Sequence, residues 1–203
     1  ILAKESLSIH EKLIVILDMG SKIQQCINTD EYDNIKSVVN DYLKEGIAHT
    51  LDETRNLSDS GQFEDISLQQ GIRQILYPYE EMEVLNPEWE VILKDIIDSL
   101  FEQMSDEEYN ILNEEFGTYM VSRAYEYRQL LEYLVFRYFA KSIYDYDFLG
   151  KCQMLVTNFF VIRQMDIIRW LDNHREYSFK DRMDVVHIFS RQVEYSEDNI
   201  ENL

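Results

Sequence analysis

Apolar residues recur along most of this chain at the three- and four-residue spacing of amphipathic helices rather than at the alternating spacing of strands. In the stretch 127–143 the apolar positions lie on one side of a helix, and Arg128, Gln129 and Glu132 lie on the other. The next stretch, 154–162, is apolar on nearly all sides, as expected for a helix enclosed by other helices. The pattern predicts two consecutive helices, of which the second is central to the fold.

Capping residues mark where several other helices are expected to begin. A serine followed three positions later by an acidic residue forms a capping box, and an asparagine followed by proline is also a typical helix start. The predicted starts lie at Ser8, Thr29–Asp30, Asn86–Pro87, Ser105 and Ser178.

The helical pattern weakens between residues 46 and 86. The run 51–61 is polar and rich in turn-forming residues, and Pro78 lacks the backbone N–H that a continuing helix needs. A short helix near 68–76 is compatible with the pattern. The region is therefore expected to be a loop-rich connection.

Together these patterns predict an all-α fold, a multi-helix bundle of about six to eight helices. Two prolines, six glycines and a hydrophobic content of 45% in 203 residues agree with long helices around a sizeable core. The expected organisation is an amino-terminal helical pair over residues 1–50, which can form a small lobe, a loop-rich connection over 51–86 and a main bundle over 87–203. One compact domain would contain all three parts.

Charge and cysteine content limit the function classes. A net charge of −20 repels a phosphate backbone, so nucleic-acid binding is not expected. Apolar runs are shorter than the roughly 18 residues of a membrane span, and no signal peptide opens the chain, so we expect a cytoplasmic protein without membrane contact. Cys26 and Cys152 stand far apart, which favours reduced, buried thiols, and no metal site is predicted.

Arg163 is the most informative candidate side chain. It follows the apolar run 159–162 in the predicted buried helix, so its charge must be paired or face a cavity. Either Asp166 pairs with it locally, or Arg163 lines a pocket and binds an anionic group such as a carboxylate. His187, which lies between apolar residues, is expected to be a hydrogen-bonded structural histidine rather than a general base.

Tyrosines are abundant between residues 125 and 146, and Tyr133 and Tyr138 belong to this cluster. They could line an aromatic pocket, although packing of an amphipathic helix explains most of them equally well. Three charged residues fit either a pocket or a surface ion pair: Glu132, Arg137 and Arg191.

Five runs in the carboxy-terminal part have specific wording: Leu131–Phe139, Phe160–Arg163, Asp181–Arg182, Phe189–Glu194 and Ser196–Asn199. These runs resemble the flagellin lysine-N-methylase family. The segment 13–42, an apolar helix followed by an acidic amphipathic one, also fits the part of that family that follows its cysteine-rich region. The resemblance implies methylation of lysine side chains, with S-adenosylmethionine as the donor and flagellin or another lysine-bearing protein as the partner.

Two features depart from this family. Its amino-terminal cysteine cluster is taken to hold an iron–sulfur centre, whereas Cys26 and Cys152 cannot supply the four thiolates of such a centre. The chain would then be a carboxy-terminal domain of such a protein, or a relative without the metal centre. Tyr195 stands where the family pattern suggests a histidine.

The resemblance also implies a set of site residues, although catalytic residues stay unknown. Arginines would hold the carboxylate of the methyl donor, acids would orient the lysine ammonium, and tyrosines would desolvate the amine. The competing interpretation is a non-catalytic, acidic helical module for protein interaction or ligand-binding regulation, so the sequence leaves open whether this chain is an enzyme. The candidates for donor or substrate binding are Glu132, Tyr133, Arg137, Tyr138, Arg163, Arg191 and Glu194.

Overall fold

The computed structural model describes residues 1–59 and 66–201, and all regular secondary structure in these residues is helical. The predicted all-α class is confirmed. A π-helix, Ile97–Glu102, follows the fifth α-helix, and short 3-10 helices flank the seventh. The α-helices are α1 (Ile9–Asn28), α2 (Tyr32–Tyr42), α3 (Gly46–Asp59), α4 (Leu68–Glu80), α5 (Pro87–Ile96), α6 (Asp106–Tyr119), α7 (Ala124–Tyr138), α8 (Ser142–Asp145), α9 (Phe148–Asp172), α10 (Phe179–Val193) and α11 (Glu197–Glu201).

Most of the predicted helix starts are confirmed. Ser8, Ser105 and Ser178 each form a complete capping box with the acidic residue three positions later. Asn86 accepts from the backbone N–H of Glu88 at 3.2 Å, and a proline occupies the first turn of α5. These starts are local interactions within a few residues, which is why sequence alone locates them.

The predicted start at Thr29–Asp30 is wrong. Thr29 instead closes α1, where its hydroxyl donates to the carbonyl of Gln25 at 3.0 Å. Asp30 has a φ of 57°, in the left-handed region, and α2 begins at Tyr32. A threonine can cap either end of a helix, and here the backbone reversal at Asp30 decides which.

The expected loop-rich connection over 51–86 is wrong for most of the described residues, although the short helix that the pattern allowed near 68–76 is present within α4. Helix α3 continues to Asp59 because its apolar side, with Ile47 and Leu51, packs against a buried core. Helix α4 includes Pro78 and ends two residues later, so the missing proline N–H costs few helical hydrogen bonds. Residues 60–65 lie outside the described residues.

The chain divides into two compact units by its internal contacts. Among the described residues, unit 1 comprises 1–59 and 122–156, and unit 2 comprises 66–121 and 157–201. Each unit therefore combines two separate parts of the chain, unlike the three consecutive parts expected from sequence. Within the described residues, no helix is long and apolar enough to cross a membrane.

Unit 1 packs around a small apolar core between its first three helices. Val15, Tyr42, Ile47 and Leu51 are buried there. Beside this core, the carboxylate of Asp18 accepts hydrogen bonds from three side chains that lie on all three helices. The donors are Lys22 at 2.9 Å, Thr50 at 2.5 Å and the hydroxyl of Tyr42.

Unit 2 is built around the carboxy-terminal part of α9, in which residues 161–168 are all buried. The prediction of a central, enclosed helix is confirmed here. Three large aromatic residues, Tyr79, Trp89 and Phe189, join α4, α5 and α10, with ring centroids 6.3–6.4 Å apart. This packing sets the positions of α5 and α10, which form the walls of the cleft described next.

Candidate functional site

Unit 2 contains a cleft lined by α5, the end of α9 and α10, with a cavity volume of about 590 Å³. We call it the polar cleft. Val91, Ile92 and Ile188 form its apolar wall. Its polar groups come from Asn86, Glu88, Arg169, Asp184, His187 and Arg191.

Helix α10 supplies one side of the polar cleft through residues at helical spacing. Asp184, His187 and Arg191 follow one another at intervals of three and four, so they share one face of α10. A neighbouring hollow shares His187 and Arg191 and adds Leu85 and Tyr195. The departure from the family pattern at position 195 therefore lies beside this cleft.

The face of α10 next to the cleft holds the loop that precedes α5. Gln192 is fully buried, and its side-chain oxygen accepts from the backbone N–H groups of Leu85 at 3.0 Å and Asn86 at 3.2 Å. Its side-chain nitrogen donates to the carbonyl of Glu83 at 2.7 Å. One glutamine thus bonds three backbone groups, two N–H groups and one carbonyl, of the loop that precedes α5.

Asn199 holds the same loop from a second position. Its side-chain oxygen accepts from the N–H of Glu83 at 3.0 Å, and its side-chain nitrogen donates to the carbonyls of Glu83 at 3.0 Å and Gln192 at 2.9 Å. Gln192 and Asn199 both belong to the run 189–199 that carries the family resemblance. We infer that this run shapes one wall of the polar cleft.

Asn86 presents an unpartnered donor in this wall. Its side chain is 6% exposed, and its oxygen caps α5. The side-chain nitrogen, Nδ2, has no hydrogen-bond partner among the described residues. A buried donor without a partner costs about 1–3 kcal/mol, so an acceptor on a bound molecule would be favoured at this point.

The charged groups of the polar cleft are of both signs. Arg169, Arg191 and the imidazole of His187 can donate to an anion, whereas Glu88 and Asp184 attract a cation. A volume of about 590 Å³ falls within the roughly 300–1,000 Å³ of small-molecule sites. The cleft therefore suits a small molecule that carries both an anionic and a cationic group.

Of the residues proposed from sequence, Arg191 lies in the polar cleft, but Arg163 does not line it. Arg163 is 7% exposed. Its Nη2 donates to the carbonyl of Asn113 at 3.1 Å, and its guanidinium lies 5.2 Å from the ring centroid of Phe116. Glu194 is half-buried and accepts from the hydroxyl of Ser190 at 2.5 Å.

The expected local pair between Arg163 and Asp166 is wrong, because Asp166 has other partners. Its carboxylate is fully buried, pairs with Arg182 at 2.5 Å and accepts from the hydroxyl of Tyr177. The charge of Asp166 is therefore compensated from α10 and from the turn that precedes it. Periodicity within α9 could not show this, since both partners lie beyond the helix.

The remaining four proposed residues lie on α7 in unit 1. Tyr138 is buried, and the guanidinium of Arg137 lies 5.8 Å from its ring centroid. Glu132 is exposed, and its Oε1 lies 3.7 Å from Nε of Arg128. Tyr133 is 43% exposed. A ligand role for these residues stays a prediction.

The structure corrects the interpretation of His187 and adds residues that sequence reasoning missed. The sequence suggested a hydrogen-bonded structural role for His187, whereas the structure shows an exposed side chain that lines the polar cleft. Arg169, Glu88, Asp184 and Asn86 were not among the candidates. The spacing of positions 184, 187 and 191 was a visible signal, whereas the free amide of Asn86 depends on distant contacts.

The described residues do not fit a metal centre. They contain no group of three or more His, Cys, Asp or Glu side chains that could hold a metal ion. Cys26 and Cys152 are buried free thiols. Burial raises the pKa of Cys152 to about 12, which disfavours the thiolate that an iron–sulfur cluster requires.

Comparison with known families gives one match over the whole chain. The family model described as FliB lysine N-methylase C-terminal domain matches residues 1–203. No curated protein and no solved structure matches the chain.

Proposed function

Because the chain belongs to the family of FliB lysine N-methylase C-terminal domains, we propose that it takes part in S-adenosylmethionine-dependent methylation of flagellin lysines. We further propose that the polar cleft binds the methyl donor. The observation that supports this most directly is the unpartnered amide nitrogen of Asn86 in a cleft that also holds Arg169 and Arg191.

The chemical groups of the donor match those of the polar cleft. S-adenosylmethionine carries a carboxylate, an ammonium group and a sulfonium. Arg169 and Arg191 would bind the carboxylate, since a guanidinium offers two parallel donors, and Asn86 would add a neutral one. Glu88 and Asp184 would attract the cationic groups.

Residues of the cleft can also favour the reactive form of a lysine acceptor. The bound donor supplies a methyl group on its sulfonium, and the lysine nitrogen must be neutral to accept that group. Val91, Ile92 and Ile188 give one side of the cleft an apolar lining, and partial desolvation beside this lining would disfavour the lysine ammonium. No group of side chains among the described residues fits an iron–sulfur cluster. We therefore assign no step of the reaction to such a cluster.

Calorimetric titration of the purified chain with S-adenosylmethionine tests this proposal. We expect saturable binding that weakens roughly 10- to 100-fold in Arg191→Gln, the usual effect of losing a charge-assisted hydrogen bond. Arg175→Gln is the matched control, because Arg175 is exposed and pairs with Glu115 at 2.8 Å outside the cleft. Absence of binding to a chain shown to be folded by circular dichroism would contradict the proposal.

Asn86→Asp separates the ligand role of Asn86 from its role in the helix. Aspartate caps a helix as well as asparagine does, so α5 should keep its amino-terminal cap. The substitution replaces the free donor with an acceptor that repels a carboxylate. Burial of the new carboxylate should lower the midpoint of thermal unfolding, so circular dichroism must show that the variant is folded at the temperature of the titration. We expect donor binding to be lost in the folded variant, and unaltered binding would exclude Asn86 from the site.

A further inference from the structure

A second cavity lies in unit 1 and differs chemically from the polar cleft. Its volume is about 460 Å³, and its walls come from α1, α2 and the segment 142–148. We call it the apolar groove. The residues that line it include Ile23, Ile27, Tyr32, Val39, Ile143 and Tyr146.

Folding of unit 1 leaves several of these side chains exposed. Tyr32 is 47% exposed, Val39 39%, Ile143 71% and Tyr146 58%. Single exposed apolar residues are common, whereas several that line one groove mark an interaction surface.

The wall formed by segment 142–148 is held in place by α1. The side chain of Gln24 donates to the carbonyl of Tyr146 at 3.0 Å. Its oxygen accepts from the backbone N–H groups of Phe148 at 2.8 Å and Leu149 at 3.1 Å. The groove is therefore formed before binding, which reduces the entropy that a partner must overcome.

The dimensions of the groove fit one side of a helix. Tyr32, Ile35 and Val39 recur at helical spacing along α2 and span about 10 Å, or two helical turns. A helix that docks in a groove presents apolar residues at the same spacing. An amphipathic helix is thus the secondary structure whose apolar side matches this wall.

Charge indicates what kind of helix would bind. Asp30 and Glu31 lie directly before α2, and Asp145 and Asp147 lie on either side of Tyr146. The hydroxyl of Tyr32 donates to Asp30 at 3.4 Å, which places this carboxylate beside the groove. Lys151 compensates part of this negative charge. Its Nζ lies 2.8 Å from Oδ2 of Asp145 and 3.7 Å from Oδ2 of Asp147.

The net charge of the chain also favours a cationic partner. At −20, the chain repels a second copy of itself and attracts cationic partners. We propose that the apolar groove binds an amphipathic helix of another protein, with its apolar side in the groove and lysines or arginines facing the acidic rim. This inference goes beyond the donor site and does not depend on it.

A model peptide provides the probe. We would use a fluorescently labelled helix of roughly 18 residues, five turns, with leucines at positions i, i+3, i+4 and i+7 and lysines elsewhere. A peptide of the same composition in scrambled order and a peptide with glutamate in place of lysine are the controls. Fluorescence anisotropy should show saturable binding of the first peptide and at least 10-fold weaker binding of both controls.

Surface variants test whether this binding takes place in the groove. Ile143→Ser removes an exposed groove residue and should weaken binding on the order of 10-fold, because the lost burial is that of one aliphatic side chain. Phe136→Ser is the matched control, since Phe136 is 86% exposed, belongs to the same unit and does not line the groove. The Phe136→Ser variant should bind the leucine–lysine peptide as tightly as the unaltered chain does.

Three results would overturn the inference. Equal binding of the scrambled peptide would show nonspecific attraction, and equal effects of Ile143→Ser and Phe136→Ser would place the peptide elsewhere. Self-association of the chain in sedimentation velocity that Ile143→Ser abolishes would identify a second copy as the occupant.

Discussion

The two units use the same kind of helix face for opposite kinds of surface. In unit 2, positions 184, 187 and 191 of α10 place an acid, an imidazole and a guanidinium in the polar cleft. In unit 1, positions 32, 35 and 39 of α2 place aromatic and aliphatic side chains in the apolar groove. The three-and-four spacing thus identifies a face, and side-chain chemistry decides whether that face suits a small charged molecule or a protein helix.

The two units also differ in how deeply their hydrogen-bonded carboxylates are buried. Asp166 in unit 2 is fully buried and pairs with a buried arginine, Arg182. Asp18 in unit 1 is partly exposed and accepts from Lys22, Thr50 and Tyr42. A buried charge that loses its partner is far more costly than an exposed one, so the two units should respond differently to equivalent substitutions.

The largest effect is expected from Asp166→Leu. Arg182 would lose its carboxylate partner in the interior of unit 2, and breaking a buried pair lowers the free energy of unfolding by about 3–5 kcal/mol. Urea unfolding followed by circular dichroism measures the change. Glu115→Gln, which breaks the exposed pair with Arg175, is the control and should cost under about 1 kcal/mol. Equal losses in the two variants would contradict the assigned role of burial.

A smaller effect is expected from Gln192→Leu, which releases the loop that precedes α5. The backbone N–H groups of Leu85 and Asn86 lose their acceptor, whereas the carbonyl of Glu83 keeps its hydrogen bond from Asn199. We expect a loss of about 2–3 kcal/mol in the free energy of unfolding together with weaker donor binding. Gln70→Leu, at an exposed position of unit 2, should change stability by less than about 0.5 kcal/mol. Unchanged donor binding in a folded Gln192→Leu chain would show that the loop does not shape the site.

The smallest effect concerns Asp18 and depends on pH. Burial raises the pKa of Asp18, but hydrogen bonds from Thr50, Tyr42 and Lys22 outweigh burial and lower it below the ordinary value of 3.8. The stabilisation is present above that value and is lost as the pH falls through the lower pKa of the folded state. At neutral pH, Asp18→Asn should cost about 1–2 kcal/mol.

Urea unfolding over a pH series checks this expectation. The difference in stability between the unaltered chain and Asp18→Asn should shrink as the pH falls below about 4. A difference that stays constant from pH 7 to pH 2 would show that ionisation of Asp18 does not stabilise unit 1.

Sequence predicted the elements whose causes are local. Capping boxes at Ser8, Ser105 and Ser178 act within three residues, and the all-round apolar character of 154–162 requires a helix inside a core. The continuation of α3 was missed because its buried face, with Ile47 and Leu51, is recognisable only once α1 packs against it.

The polar cleft was only partly predictable for a related reason. Arg191 was proposed because it lies in a run that resembles the family, and Asp184 and His187 share its helical face. Asn86 was recognised as a helix cap, but its place in the cleft lining depends on Gln192, 106 residues further along the chain, which accepts from its backbone N–H. Arg163 was proposed as a pocket residue, but its guanidinium donates to the carbonyl of Asn113 and packs against the ring of Phe116.

The most direct test of the central claim, that the two cavities bind different classes of ligand, measures both ligands on the same variants. Binding of S-adenosylmethionine and of the leucine–lysine peptide would be titrated against the unaltered chain, Arg191→Gln and Ile143→Ser. We predict that Arg191→Gln weakens only donor binding and that Ile143→Ser weakens only peptide binding, each by about 10-fold or more. Variants that weaken both ligands equally, or neither, would contradict the claim.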